Sequence, residues 1–128
     1  MLVLGMKKIL LAEDDRNLSR SIDTWLTLEG FQVVTVYNGE EALNKLLQQS
    51  FDLLITDIAM PRLNGMELIE KIRRLNPDLP IMVVSGKLNP RLLENLRLMN
   101  VKYILSKPIN PTEFRKMIGS VFPESYAT

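Results

Sequence analysis

Ile9-Leu10-Leu11-Ala12 followed by Glu13-Asp14-Asp15 is an apolar run of strand length that breaks into three acids. The same design returns in Leu53–Thr56 before Asp57, in Ile81–Val84 before Ser85 and in Tyr103–Ser106 before Lys107. Short, largely apolar runs of this kind suit strands covered on both faces, as in a parallel sheet. If the four runs are neighbouring parallel strands, acids, hydroxyl and ammonium converge at one sheet edge and make a site.

Working outward, stretches with apolar residues at helical spacing separate these runs, which is the pattern of repeated βα units, five of them here. The spacing predicts a first helix from about Arg16 to Glu29, with Leu18, Ile22, Trp25 and Leu26 on one face and Gly30 ending it. Trp25 reads most simply as a core residue. A second strand near Val33–Val36 leads into Asn38-Gly39-Glu40-Glu41, where Asn38 caps a helix and Glu41 reciprocates, with Leu43, Leu46 and Leu47 as its buried stripe. Asn64-Gly65-Met66-Glu67 starts the third helix in the same way, through Leu68, Ile69, Ile72 and Leu75, and Asn76-Pro77 stops it.

Asn89-Pro90 begins a fourth helix carrying Leu92, Leu93, Leu96 and Met99, and Asn110-Pro111-Thr112-Glu113 begins the last, with Phe114, Met117, Ile118 and Val121 inward. Proline at the first helical position loses an N–H that has no helical partner anyway. Pro123 closes the fold. In open parallel sheets ligands bind beyond the carboxyl ends of the strands, where the strand order reverses. The second strand ends in uncharged Tyr37-Asn38-Gly39 while the other four end in reactive groups, which favours the order 2-1-3-4-5 with the second strand at the far edge. The fold class is therefore α/β, a flavodoxin-like (βα)5 doubly wound parallel sheet.

A chain of 128 residues is one domain, expected over 1–128 with its core at about 7–121 and no output domain. Sixteen basic against fifteen acidic residues leave a net charge of +1, too little bias for nucleic acid or an anionic membrane as main partner. Residues 87–128 nevertheless hold seven bases and three acids, whereas 1–61 hold five bases and nine acids, a basic flank that reads first as a solvated surface. Without cysteine or histidine, chemistry rests on carboxylates, hydroxyls and lysine. The opening Met1-Leu2-Val3-Leu4-Gly5 is short, and Lys7 and Lys8 follow rather than precede it, so it does not read as a secretory signal; Met6 is an alternative start. No run approaches membrane-spanning length, and the expected location is cytoplasmic.

Two unit charges about 4 Å apart repel by roughly 4 kcal/mol at an effective dielectric near 20, so gathering Glu13, Asp14 and Asp57 calls for a cation. An all-oxygen set suits Mg²⁺, with Mn²⁺ as an alternative, and offers nothing soft to zinc or copper. Taken alone, Glu13-Asp14-Asp15 are equally explained as acids favoured at a helix N-terminus. Asp57 is what tips the balance toward a metal.

These residues resemble the receiver domain of two-component response regulators, of the chemotaxis-receiver type, from about Lys7 to Val121. The resemblance lies in spacing: Glu13-Asp14 after the first strand, Asp57-Ile58-Ala59-Met60-Pro61 with Gly65 beyond, Ser85-Gly86 after the fourth and Lys107-Pro108 after the fifth. It implies that Asp57 accepts a phosphoryl group from a histidine kinase or histidine phosphotransfer protein, with Mg²⁺ held by Asp14, Asp57 and the Ala59 backbone carbonyl and Glu13 acting through metal-bound water. Lys107 and Ser85 would then contact phosphoryl oxygens and report the change to an unknown downstream protein. The Lys107-Pro108 peptide is expected to be cis, as is common in the family.

On this reading the chain is a stand-alone signalling switch rather than an enzyme with turnover. Ile104 departs from the family, which usually places an aromatic switch three residues before the lysine; Tyr103 lies one position earlier and, by strand alternation, on the opposite face. The expectation is therefore output through loop and fourth-helix movement. Ala59 and Lys87, two residues beyond Asp57 and Ser85, are expected to leave water access open and to face solvent. Two other readings remain: a docking module that is never phosphorylated, and an aspartyl phosphatase, which Ala59 disfavours because a second carboxylate would belong there.

Overall fold

The computed structural model describes residues 6–125, and Met1–Gly5 with the expectation attached to them lie outside that range. Among the described residues five parallel strands, β1 (Lys8–Ala12), β2 (Gln32–Val36), β3 (Leu53–Thr56), β4 (Ile81–Ser85) and β5 (Tyr103–Ser106), form one sheet in the order β2-β1-β3-β4-β5. Five helices alternate with them: α1 (Arg16–Leu28), α2 (Gly39–Gln48), α3 (Gly65–Leu75), α4 (Pro90–Leu98) and α5 (Pro111–Val121). Pro123 does not end the chain's regular structure but opens a 3₁₀ turn, Pro123–Ser125. Among the described residues no helix is long and apolar enough to cross a membrane.

Alternation along the strands feeds two separate apolar layers. Ile9, Leu11, Leu53, Ile55, Met82, Val84 and Leu105 pack with α1 and α5, while Leu10, Ala12, Leu54, Ile81 and Val83 pack with α2, α3 and α4. Tyr103 joins the first layer and Ile104 the second, as alternation requires. Trp25 lies half-buried at the rim of the first layer, its ring 5.6 Å from that of Phe114.

Asparagine side chains cap four helix starts: Asn38, Asn64, Asn89 and Asn110 each accept from backbone amides of the first turn. The reciprocal Glu67 bond completes a capping box at α3. At α2 the expected reciprocal bond takes another form, because Glu41 Oε1 accepts from Tyr37 N–H at 3.0 Å. Helix α1 stops where Gly30 takes φ +95°, with Phe31 N–H on Leu26 O at 3.1 Å and Gly30 N–H on Thr27 O at 3.0 Å. Asn100, at φ 58°, closes α4 with the same pair of bonds, a role its sequence context did not single out.

Three residues expected inward face out. Leu47, Leu75 and Leu93 are 61%, 62% and 40% exposed, because each sits past the edge of its helix's buried stripe, which is carried by Ala42 in α2, by Leu68, Ile69 and Ile72 in α3 and by Leu96 in α4.

Candidate functional site

Parallel strands place all their carboxyl ends on one edge, and the register sets Ala12 beside Thr56 and Ser85 beside Ser106. The polar termini of the sequence therefore share one edge of the sheet. Glu13 continues β1, with its amide bonded to Val36 O at 3.1 Å, and Asp57 continues β3, with its amide on Ala12 O at 3.1 Å. Lys107 follows β5, its amide on Ser85 O at 2.9 Å, and its peptide to Pro108 is cis.

The carboxylate of Asp57 is buried, and both its oxygens are engaged. Oδ1 accepts from the amides of Ile58 at 2.6 Å and Ala59 at 3.3 Å, while Oδ2 lies 2.6 Å from Lys107 Nζ. The same ammonium stands 2.9 Å from Glu13 Oε1, and Glu13 Oε2 accepts from the Asp15 amide at 3.1 Å. One cation thus bridges two buried acids. Burial pushes the Glu13 carboxyl above its ordinary range, against the pull of the Lys107 and Asp15 hydrogen bonds, and the nearby Asp57 charge adds to the rise. For Lys107 burial works against the charged form, but the hydrogen bonds to Asp57 and Glu13 outweigh it and hold the ammonium above its ordinary value.

Asp14 is exposed at the rim, yet Glu13, Asp14 and Asp57 each bring a carboxylate oxygen within 4.8 Å of the others. Three negative groups against one ammonium leave the crevice short of positive charge, and oxygen donors alone suit a hard divalent ion such as Mg²⁺. Asp15 is not part of this set; its side chain caps α1 by accepting from Asn17 and Leu18 amides at 3.0 and 3.1 Å. The helix-terminus reading of the acidic run thus holds for that one residue.

Ser85 is buried at the end of β4, and its Oγ accepts from the Lys87 amide at 3.2 Å, which ties the hydroxyl to the following loop. It faces the same layer as Ile104, with Tyr103 on the opposite side of the sheet. Ala59 and Lys87 are exposed.

Two supports escaped sequence reasoning. Thr56 Oγ1, wholly buried, donates to Asp57 O at 2.8 Å and steadies the peptide beneath the carboxylate. A Cβ on Gly39 would meet Leu63 O at 1.9 Å, and one on Gly65 would meet Asp57 O at 2.1 Å, so α2 and α3 both start jammed against the loop that carries Asp57. The Asn-Gly pairs that signalled helix starts carried this information only in hindsight of the packing.

Comparison with known proteins agrees with this geometry. The family model described as the response regulator receiver domain matches residues 9–119. Relatives include the response regulator receiver protein CpdR of Brucella abortus, 42% identical over 81 residues that cover 63% of this chain and 68% of that protein. The uncharacterized transcriptional regulatory protein YcbL of Bacillus subtilis is 41% identical over 78 residues, 61% of this chain, and the match spans 34% of its length. The chain thus covers about a third of YcbL and about two thirds of CpdR. Among solved structures, a CheY-like receiver domain protein from Methanospirillum hungatei superposes with a TM-score of 0.88 at 27% identity, over 94% of this chain and 97% of that one. The chemotaxis protein CheY4 of Vibrio cholerae gives 0.86 at 27% identity, over 92% and 100%.

Proposed function

Because this chain belongs to the receiver domain family of two-component response regulators, we propose that it is a phospho-accepting switch whose acceptor is Asp57. A carboxylate oxygen of Asp57 attacks the phosphorus of a phosphohistidine on a histidine kinase or phosphotransfer protein. The phosphorus–nitrogen bond breaks, the imidazole leaves, and an acyl phosphate forms. What carries the reading is a single observation: a buried carboxylate held by two backbone amides and an ammonium, beside two further acids.

The residues fit a Mg²⁺ ion, which Asp14, Asp57 and the Ala59 carbonyl would hold with Glu13 behind them. When bound it would neutralise charge on the transferring phosphoryl group. This chain's own residues do the rest. The Ile58 and Ala59 amides orient the carboxylate, Lys107 turns from the acids to a phosphoryl oxygen, and Ser85 donates its free O–H to another. Since Ser85 Oγ already holds the Lys87 amide, that shift draws on the β4–α4 loop and alters how a downstream protein binds.

Incubation with acetyl phosphate and Mg²⁺, followed by intact mass, tests the proposal. One phosphoryl group per chain is expected, absent in Asp57→Asn and absent without Mg²⁺. Uptake that survives Asp57→Asn would move the acceptor elsewhere. The second reading, constitutive docking without phosphorylation, draws on Ile104 in the place of the usual aromatic, and no uptake under any condition would favour it.

A further inference from the structure

Arg73, near the end of α3, spends its guanidinium on four carbonyls, two at and after the end of its own helix and two at the end of α4. Nε donates to Met99 O at 2.8 Å, one terminal nitrogen to Leu79 O at 2.8 Å and Asn76 O at 3.3 Å, and the other to Asn100 O at 3.2 Å. Met99 and Asn100 are the cap of α4 and the left-handed residue after it. The same end is closed by Val101 N–H on Leu96 O at 3.0 Å, and Leu96 is the one wholly buried residue of the helix. The other end is held lightly. Pro90 and Arg91 are exposed, and the first turn is capped by the Asn89 side chain on the Leu92 amide. Ser85 and Lys87, joined by their own hydrogen bond, lie just before it.

We infer that Arg73 anchors the C-terminal end of α4, so that a change at the site moves the helix at its N-terminal end and turns it about that anchor. A planar fork that binds the α3–β4 and α4–β5 connections at once fixes direction as well as distance, which a flexible ammonium cannot do. A nine-residue helix is rigid on this scale, and its first turn, held by the Asn89 cap and the half-buried Leu92, has no counterpart to the Arg73 clamp, so rotation about the clamped end is its easiest motion. Arg73 is a positioning residue here, and the inference rests on the reading of Asp57 as acceptor.

Amide hydrogen exchange of the whole chain, with and without Mg²⁺ and beryllofluoride, tests it. In the unaltered protein the Lys87, Leu92 and Leu93 amides should change on addition while Asn100 and Val101 keep their protection. In Arg73→Met, and in Arg73→Lys, Asn100 and Val101 should exchange roughly tenfold faster and should respond to the additive. Equal response at both ends of α4 in the unaltered protein overturns the inference whatever the variants do, as does undiminished protection of Asn100 in a folded Arg73→Met. A response at Ile58 and Ala59 with none along α4 overturns it alone. No response at Ile58 and Ala59 overturns the Asp57 reading and the inference with it.

Discussion

The first residue of α3, Gly65, sits so close to Asp57 that a Cβ there would stand 2.1 Å from the Asp57 carbonyl oxygen, and its amide donates to Ile58 O at 2.8 Å. Helix and site loop are therefore one packed unit. In Gly65→Ala the obstacle is backbone on both sides, which cannot rotate away. We expect a loss of about 2 kcal/mol in urea unfolding and, since a displacement near 1 Å at a reacting group costs about a hundredfold, phosphoryl uptake slowed by that order. Normal uptake in this variant would mean that the loop tolerates the shift.

Lys107→Met leaves Glu13 and Asp57 facing each other without the cation that joins them. Because the ammonium is partly open to solvent, the loss near neutral pH should be about 2 kcal/mol rather than the larger figure for a sealed pair. Its pH dependence has a definite sign. Glu13 binds its proton more tightly folded than unfolded, so its contribution is full below the ordinary carboxyl range and is lost as pH rises through its native value. Removing Lys107 enlarges that effect. The gap between variant and parent in urea midpoints should be small near about pH 4 and widen toward about pH 7.

In the parent protein Lys107 carries its own alkaline signature. Its native ammonium holds the proton above the ordinary lysine value, so its stabilisation is complete below about pH 10.4 and disappears as pH climbs through the higher native value. Alkaline urea titrations should show this loss in the parent and not in Lys107→Met.

Added Mg²⁺ should raise the unfolding free energy, by about 2.7 kcal/mol at a hundred times its dissociation constant. Asp14→Asn removes an exposed carboxylate that the proposed function assigns to Mg²⁺, so the variant should fold as well as the parent yet gain almost nothing from the ion. Equal stabilisation of both by Mg²⁺ would place the cation elsewhere.

Gly30→Ala isolates backbone strain from chemistry. Nothing lies within 4 Å of the added Cβ, but φ +95° is unfavourable for any L side chain. A cost of about 1 kcal/mol with unchanged phosphoryl uptake is expected.

Much of this molecule can be read from its chain because local and global preferences agree. Asn38, Asn64, Asn89 and Asn110 mark helix starts by a side-chain hydrogen bond that needs no tertiary partner, and Gly30 marks a stop by its backbone alone. Leu47, Leu75 and Leu93 are misread because helical spacing defines a stripe but not its width, and each lies where the stripe meets solvent. Asn100 in the left-handed region has no flanking signal apart from the loop that needs it. At the site, residue types and strand ends predict the convergence of Glu13, Asp14, Asp57 and Lys107, and place Ser85 at the end of the neighbouring strand. They do not predict that Lys107 bridges Glu13 as well as Asp57, since this depends on side-chain reach across two strands.

Helices α2 and α3 begin with glycines wedged against the Asp57 loop, whereas α4 and α5 begin with prolines, and a Cβ on Gly86 between them would touch only Lys107 Cβ at 3.9 Å. The crevice consequently has unequal walls. On the proposed function the wall bearing Asp57 is a fixed bench, and the one bearing hydroxyl and ammonium is a gauge set by side-chain bonds, Lys107 Nζ to Asp57 and Glu13 and Ser85 Oγ to the Lys87 amide. Substitutions on the bench should make the protein deaf to its input, while substitutions on the gauge should let it hear and fail to answer.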